Sequence, residues 1–190
     1  MPAAKFQPLA TPRLTLRRFA THDLAAFLAY RNDPEVARYQ GWETISVWEA
    51  RVFIEEQQSQ EPGGSNSLFQ VAFARKDTDE LIGDGMLHVK TDDRLGEIGY
   101  TIAPASQRQG YATEAVQAMV AYAFGTLRLH RIMAVADCRN LPSIRLLERL
   151  GMRREGHFLQ HAWYKGEWCD EYQYAILHDE WAARVEKPQV

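Results

Sequence analysis

Residues 95–118 read LGEIGYTIAPASQRQGYATEAVQA, and no other stretch restricts the possible folds as strongly. A strand-like run ends at Ala103-Pro104, because proline contributes no donor to a ladder. A polar turn with one glycine follows, Gln107-Arg108-Gln109-Gly110-Tyr111-Ala112. Ala112, Ala115, Val116, Met119, Val120 and Ala123 then take up helical spacing, and Gly125 marks the stop. Such a turn can aim several consecutive backbone N–H groups at one point, with the positive end of the helix dipole behind them. The turn alone admits two readings, an ordinary connection or a main-chain cradle for a diphosphate. The strand before it favours the cradle.

The rest of the chain supplies the frame. The first ten residues are expected to be loose. Leu14, Leu16 and Phe19 suggest a half-buried strand with an arginine-rich outer face. Thr21 or Asp23 can cap a helix to about residue 31, which Asp33-Pro34 breaks. Ser46, with Glu49 three residues on, forms a capping box for a helix over 47–58. The segment EPGGSNS at 61–67 is a loop, and segments 67–75 and 80–89 are strands joined as a hairpin. A second turn at 91–94 leads into the strand over 95–102. A buried strand over 131–136, a short helix over 140–150 ending at Gly151, and two strands within 152–181 joined near Lys165-Gly166-Glu167 complete the pattern. Hairpins outnumber helical crossovers. The fold class is therefore α+β (mixed α/β), a mostly antiparallel twisted sheet of about seven strands flanked by about four helices.

Bulk properties exclude several classes. The 190 residues, 46% of them hydrophobic, suit a single domain over 1–190 with its core at about 10–182. A net charge of -3 argues against an electrostatic nucleic-acid binder. The N-terminal MPAAKFQPLATPRL has no apolar h-region, and the longest apolar runs are far too short for a bilayer, so a cytoplasmic setting without membrane partners is expected. Cys138 and Cys169 lack partners at metal spacing, and no pair among the six histidines has one either, so no metal is expected.

Other short elements fall in a consistent order. They are Pro12-Arg13-Leu14 with Leu16-Arg17, Asn32-Asp33-Pro34-Glu35-Val36, Glu97-Ile98-Gly99-Tyr100, Tyr111-Ala112-Thr113-Glu114-Ala115, Asn140 with Ser143, Leu150-Gly151-Met152, and Asp170 after Gly166. Gln107-x-x-Gly110-x-Ala112 fits the Gln/Arg-x-x-Gly-x-Gly/Ala signature of the GNAT superfamily of acyl-CoA N-acyltransferases. Over about residues 10–182 the chain resembles that superfamily. Within it, the likeness is to the branch that acetylates N-terminal alanine or serine of ribosomal proteins.

The resemblance implies a sheet splayed between its fourth and fifth strands, 97–103 and 131–136, with the pantetheine arm of acetyl-CoA bound in the gap as a false strand. Backbone near Thr101 and Ile102 would hold the arm, although composition alone equally allows a plain central strand. Gln107, Arg108, Gln109, Gly110, Tyr111, Ala112 and Thr113 would bind the pyrophosphate, chiefly through amides from Gln109 to Thr113. Asn140 reads as an N-cap and, by resemblance, contacts the pantetheine. Ser143 could protonate the leaving thiolate, or serve only as a helix-entry hydroxyl. Many relatives use a tyrosine where this chain has Leu147. Glu97 is the first choice of general base, against the equally ordinary reading of an ion-paired strand glutamate; Asp170 and Glu171 are alternatives, and Met133 stands where several relatives carry a carboxylate.

Tyr39, Trp42, Trp48, Trp163, Tyr164 and Trp168 fall in segments that flank the acceptor cleft in relatives, and most of them are expected in the core. Tyr39, Trp42 and Asp170 are the candidate acceptor contacts. The implied activity is transfer of an acetyl group from acetyl-CoA to a primary amine by direct attack in a ternary complex. The acceptor is a protein N-terminus or a small amine such as an antibiotic, polyamine or amino acid. A non-catalytic acyl-CoA sensor is the rival from another class, and a homodimer is plausible by resemblance.

Overall fold

The computed structural model describes residues 5–92 and 94–185. In chain order the elements are β1 (Leu9–Ala10), β2 (Leu14–Arg17), a 3-10 turn (Thr21–Asp23), α1 (Leu24–Arg31), α2 (Pro34–Ala37), α3 (Val47–Ser59), β3 (Leu68–Arg75), β4 (Leu81–Val89) and β5 (Leu95–Ile102). After a 3-10 turn (Pro104–Ser106) come α4 (Tyr111–Gly125), β6 (Arg131–Asp137), α5 (Leu141–Arg149), β7 (Arg153–Tyr164), β8 (Glu167–Leu177) and α6 (His178–Val185). The strands form one eight-stranded sheet in the order β1-β2-β3-β4-β5-β6-β8-β7.

Local chemistry sets the element ends as expected. Ser46 Oγ accepts the Glu49 amide at 3.2 Å while Glu49 accepts the Ser46 amide at 2.8 Å, a closed capping box. The Asn140 side chain accepts the Ser143 amide at 3.2 Å, making Asn140 the N-cap of α5. Lys165 and Gly166 turn the β7–β8 hairpin with φ of 55° and 77°.

Every strand pair is antiparallel except β5–β6. That parallel ladder joins only Leu95↔Arg131, Gly96↔Ile132 and Glu97↔Met133, although β5 runs on to Ile102 and β6 to Asp137. The splay expected between the fourth and fifth strands is thus present between β5 and β6. Strand alternation divides the sheet's two faces. On one face Phe69, Val71, Phe73, Ile98, Ile102, Ile132 and Ala134 pack with Val116, Met119 and Val120 of α4, Leu147 of α5 and Trp181 of α6. On the other, Ala72 and Leu81 pack with Phe19, Phe27 and Tyr30 around α1 and Ile54 of α3.

Two features differ from expectation. Phe6 is buried, with ring centroids 4.8 Å from Phe69 and 5.6 Å from Tyr122, and β1 pairs with β2, so residues from Phe6 onward are tied to the core. Residues 1–4 lie outside the described part. Helix α6 follows β8 without a break, Glu180 accepting the Leu177 amide at 2.8 Å. Its signal was the acidic first turn Asp179-Glu180 directly after a strand.

Candidate active site

The glycine turn leads straight into α4. Gly110 is its N-cap at φ 83° and has no side chain to cap with, and Arg108 before it sits at φ 59°. The first intrahelical bond is Glu114 N–H to Gly110 O, at 3.1 Å. The amides of Tyr111, Ala112 and Thr113 therefore point out of the helix end, and no amide from Arg108 to Gly110 donates to another described group. The two glutamines of the turn brace it internally: Gln107 Nε2 donates to Ile102 O at 3.0 Å, and Gln109 Nε2 to Ala105 O at 2.8 Å. The Arg108 guanidinium pairs with no acid among the described residues.

A brace lies behind this turn that the sequence did not expose. Glu114 accepts Thr11 Oγ1 at 2.6 Å, the Arg13 amide at 2.7 Å and Arg13 Nε at 2.7 Å. Arg13 Nη1 reaches on to Gln109 O at 2.9 Å, and the guanidinium lies 4.4 Å from the Tyr111 ring centroid. Burial works against the Glu114 anion, but the bonds from Thr11 and Arg13 hold its carboxyl below the usual carboxylate range. Pro12-Arg13-Leu14 and Glu114 both belong to the short ordered elements of the sequence, but their contact spans about a hundred residues and is invisible without the fold.

The backbone phase of β5 fixes what faces the gap. Lys90 N–H donates to Leu95 O and Ala103 N–H to Ile82 O, whereas His130 N–H donates to Arg94 O. Alternation then commits the backbone of Glu97, Gly99 and Thr101 to β4 and turns that of Ile98, Tyr100 and Ile102 toward β6. Of the two positions expected at the pantetheine arm, Ile102 presents its amide to the gap; the Thr101 amide belongs to the β4 ladder. Tyr100 takes the second gap-facing place. The Ile102 carbonyl is already occupied by Gln107, which closes that end.

Ser143 lies across this gap in the first turn of α5. Its Oγ is 2.8 Å from the Tyr100 hydroxyl, which also reaches Ser143 O at 3.3 Å. Burial pushes the Tyr100 phenol up to about 12, with the Ser143 bond acting in the opposite sense. Leu147, one turn further, is fully buried in the core and offers no hydroxyl.

Glu97, by its parity, projects to the opposite face from Tyr100, beside Met133. It forms an ion pair with Lys90 Nζ, which also contacts His88 Nδ1 at 3.1 Å. Glu171 projects to the same face as Glu97. It accepts Tyr164 Oη at 2.9 Å and contacts His161 Nδ1 at 2.7 Å, with 13% of its side chain exposed. Burial first, and the Glu171 acceptor second, raise the Tyr164 phenol well above its usual range. Asp170 accepts the Gln160 amide at 2.8 Å, stitching the irregular stretch of β7 between Phe158 and Ala162.

The aromatic residues correct one expectation, for none of the six lies in the core. Trp48, Trp163 and Trp168 are 72%, 58% and 54% exposed, while Tyr39, Trp42 and Tyr164 are half-buried. Helix α3 and the β7–β8 hairpin carry the exposed three on outer surfaces that no described element covers. Trp42 stacks 3.9 Å from the Arg31 guanidinium, and Arg31 binds the buried Asp84 at 3.0 Å; Tyr39 lies under Arg38. Beside them a cavity of about 510 Å³ opens between α1–α2 and the β7–β8 hairpin, lined by Arg31, Glu35, Arg38, Glu43, Lys165 and Glu167 among others. Lys165 Nζ donates to the carbonyls of Ala37 and Gln40, so the hairpin tip is fastened over this cavity.

Unpaired helix-end amides, a splayed parallel strand pair and a polar helix entry facing the gap have the arrangement expected of an acyl-CoA transferase. Residues 13–153 match the family model described as an acetyltransferase (GNAT) domain. The chain belongs to that family and is an acetyl-CoA-dependent N-acetyltransferase, with acetyl-CoA as its co-substrate. Among the proteins it is similar to, the uncharacterized N-acetyltransferase YnaD of Bacillus subtilis is 36% identical over 173 residues, covering 91% of this chain and 98% of that one. The [ribosomal protein uS5]-alanine N-acetyltransferase of Escherichia coli is 29% identical over 185 residues, covering 91% and 92%. A GNAT-family acetyltransferase structure from Bacillus anthracis superposes with a TM-score of 0.81 at 32% identity, covering 92% of this chain and 100% of that one.

Proposed function

We propose that this enzyme acetylates the N-terminal amine of a peptide or protein by direct attack in a ternary complex. The pyrophosphate of acetyl-CoA lies on the amides of Gln109 to Thr113, with Arg108 adding charge and Gln107 and Gln109 bracing the turn. The pantetheine arm completes the interrupted β5–β6 ladder at Tyr100 and Ile102, beside Thr101, and meets the Asn140 entry to α5. The observation that carries the mechanism is that the gap opens just beyond the Glu97↔Met133 rung, with the Ser143 hydroxyl on one face and the Glu97 carboxylate at the gap's closed edge on the other.

The amine enters from the Glu97 face and its nitrogen attacks the thioester carbonyl. As the N–C bond forms and the C–S bond breaks, Glu97 accepts a proton from the amine, directly or through water, and Ser143 gives one to the departing sulfur. Tyr39 and Trp42 border the acceptor path, and Asp170 supports it through the β7 bulge. The cavity of about 510 Å³ carries both acidic and basic side chains, which suits a peptide backbone and mixed side chains better than a uniformly cationic polyamine. Similarity to the uS5-alanine enzyme supports the same class.

The test is mass spectrometry of acetylated products against a panel of free-N-terminus peptides, polyamines, amino acids and aminoglycosides. Preferential acetylation of peptide α-amines is expected. Turnover confined to polyamines or aminoglycosides would overturn the peptide reading.

A further inference from the structure

A serine hydroxyl is a poor acid by itself, and Ser143 sits in an environment that supplies a better one. The Tyr100 hydroxyl is the side-chain group that spans the gap from β5 to α5, at 2.8 Å from Ser143 Oγ. Its ring packs against the core on the α4–α5 side, so the phenol is held in place rather than free to swing. Asn140 fixes the other partner, since its side chain accepts the Ser143 amide and sets the first turn of α5. Two hydroxyls are thereby fixed in line, one on each wall of the gap.

We propose that Tyr100 and Ser143 form a two-hydroxyl proton relay to the leaving thiolate, with Tyr100 acting through Ser143 as a positioning residue and secondary proton source. This rests on the reading of Ser143 as the acid. As the C–S bond breaks, its electron pair stays on sulfur. Ser143 Oγ–H gives its proton to that sulfur, and the Tyr100 O–H proton passes to Ser143 Oγ in the same movement. The charge resides on the Tyr100 oxygen until water returns a proton, while the proton lost by the attacking amine leaves on the opposite face. The net change is one proton from the amine and one onto the thiol, with no redox partner. Burial raises the phenol and so disfavours the transient phenolate, which makes that charge short-lived and quickly neutralised by a proton from water.

The experiment is a double-mutant cycle on kcat with a saturating peptide acceptor, using Ser143→Ala, Tyr100→Phe and the pair, alongside CoA affinity by calorimetry. General acid catalysis is worth roughly 100-fold or more in rate. Ser143→Ala is expected to lower kcat by about that factor, Tyr100→Phe by about tenfold or more, and the pair by no more than Ser143→Ala alone. CoA affinity should stay within about twofold, which separates lost chemistry from lost folding. The solvent deuterium effect on kcat should fall in Tyr100→Phe. If Ser143→Ala turns over normally, the assignment of Ser143 as acid fails. If Ser143→Ala is impaired but Tyr100→Phe is not, or if the two losses multiply, the relay is overturned and Ser143 acts without it.

Discussion

The brace behind the glycine turn offers a measurable lever, because Glu114 bonds to Thr11 and Arg13 and is not among the proposed cofactor contacts. In Glu114→Gln the side chain keeps its length and one acceptor oxygen, which can still take Thr11 Oγ1 and the Arg13 amide. The other oxygen becomes an amide NH₂ set against Arg13 Nε, now donor against donor at a site 2.7 Å wide. A hydrogen bond to a charged group contributes about 1.5–3 kcal/mol. The Arg13 side chain is 46% exposed and solvent screens the pair, which brings the loss to the bottom of that range or just under it, about 1–2 kcal/mol. For a chain of this size that is a fall in Tm of roughly 3–6 °C. Once loosened, Arg13 no longer fixes the Gln109 carbonyl, and CoA affinity should fall about three- to tenfold with kcat at saturation little changed. The acid limb supplies the sign. The folded carboxyl is held below its unfolded value, so its stabilisation is present above the ordinary carboxylate range and disappears as pH falls through the depressed folded value. The difference between wild type and Glu114→Gln should therefore shrink in acid. Thermal unfolding from pH 7 down to about pH 3, paired with calorimetric titration of CoA, reads all of this. Unchanged Tm and unchanged CoA affinity together would refute the brace.

Other substitutions probe separate parts of the site. Gly110→Ala forces an L side chain to φ 83° and puts its Cβ 3.3 Å from Arg13 Nη2, so a loss of about 1–2 kcal/mol and weaker CoA binding should appear in chemical denaturation and titration; a neutral result would mean that the turn relaxes freely. Asn140→Ala removes the α5 cap and should cost about 1 kcal/mol in unfolding free energy while lowering kcat more than it weakens CoA binding. Glu97→Gln should reduce kcat at neutral pH by roughly 100-fold with CoA affinity retained, whereas Glu171→Gln should leave most of the rate; the reverse order in steady-state kinetics would move the base to Glu171.

Much of this molecule was readable from local pattern. Ser46 with Glu49, Asn140 before Pro142, Pro104 after a strand and Lys165-Gly166 each encode an element end through bonds made within a few residues. The outward-pointing amides of the glycine turn were readable for the same reason, as they are consecutive. What stayed hidden depends on register and distant contact. Strand composition does not say which parity of β5 points its amides at β6, and that parity replaces Thr101 by Tyr100 at the gap. Glu114 is an acid in the first turn of α4, and nothing nearby in the sequence shows that Thr11 and Arg13 will arrive. The exposed tryptophans misled because bulk and hydrophobicity favour burial on average, while the α3 and hairpin surfaces that carry them have no covering element. Helix α6 was overlooked because it begins where β8 ends, with no glycine or proline to mark the change.

Three rungs are all that join β5 to β6 directly. The sheet is in effect two panels meeting at a short seam, and in the proposed binding mode the substrate that wedges into the seam doubles as a structural member. Whatever binds the closed panels and not the unfolded chain lowers the unfolded fraction in proportion to its concentration over its dissociation constant. Spent CoA retains the arm and the pyrophosphate and, on that binding mode, fills the seam as acetyl-CoA would. The persistence of this enzyme against unfolding and proteolysis would then be coupled to the total pool of coenzyme, acylated or free, while its rate would follow the acylated share alone.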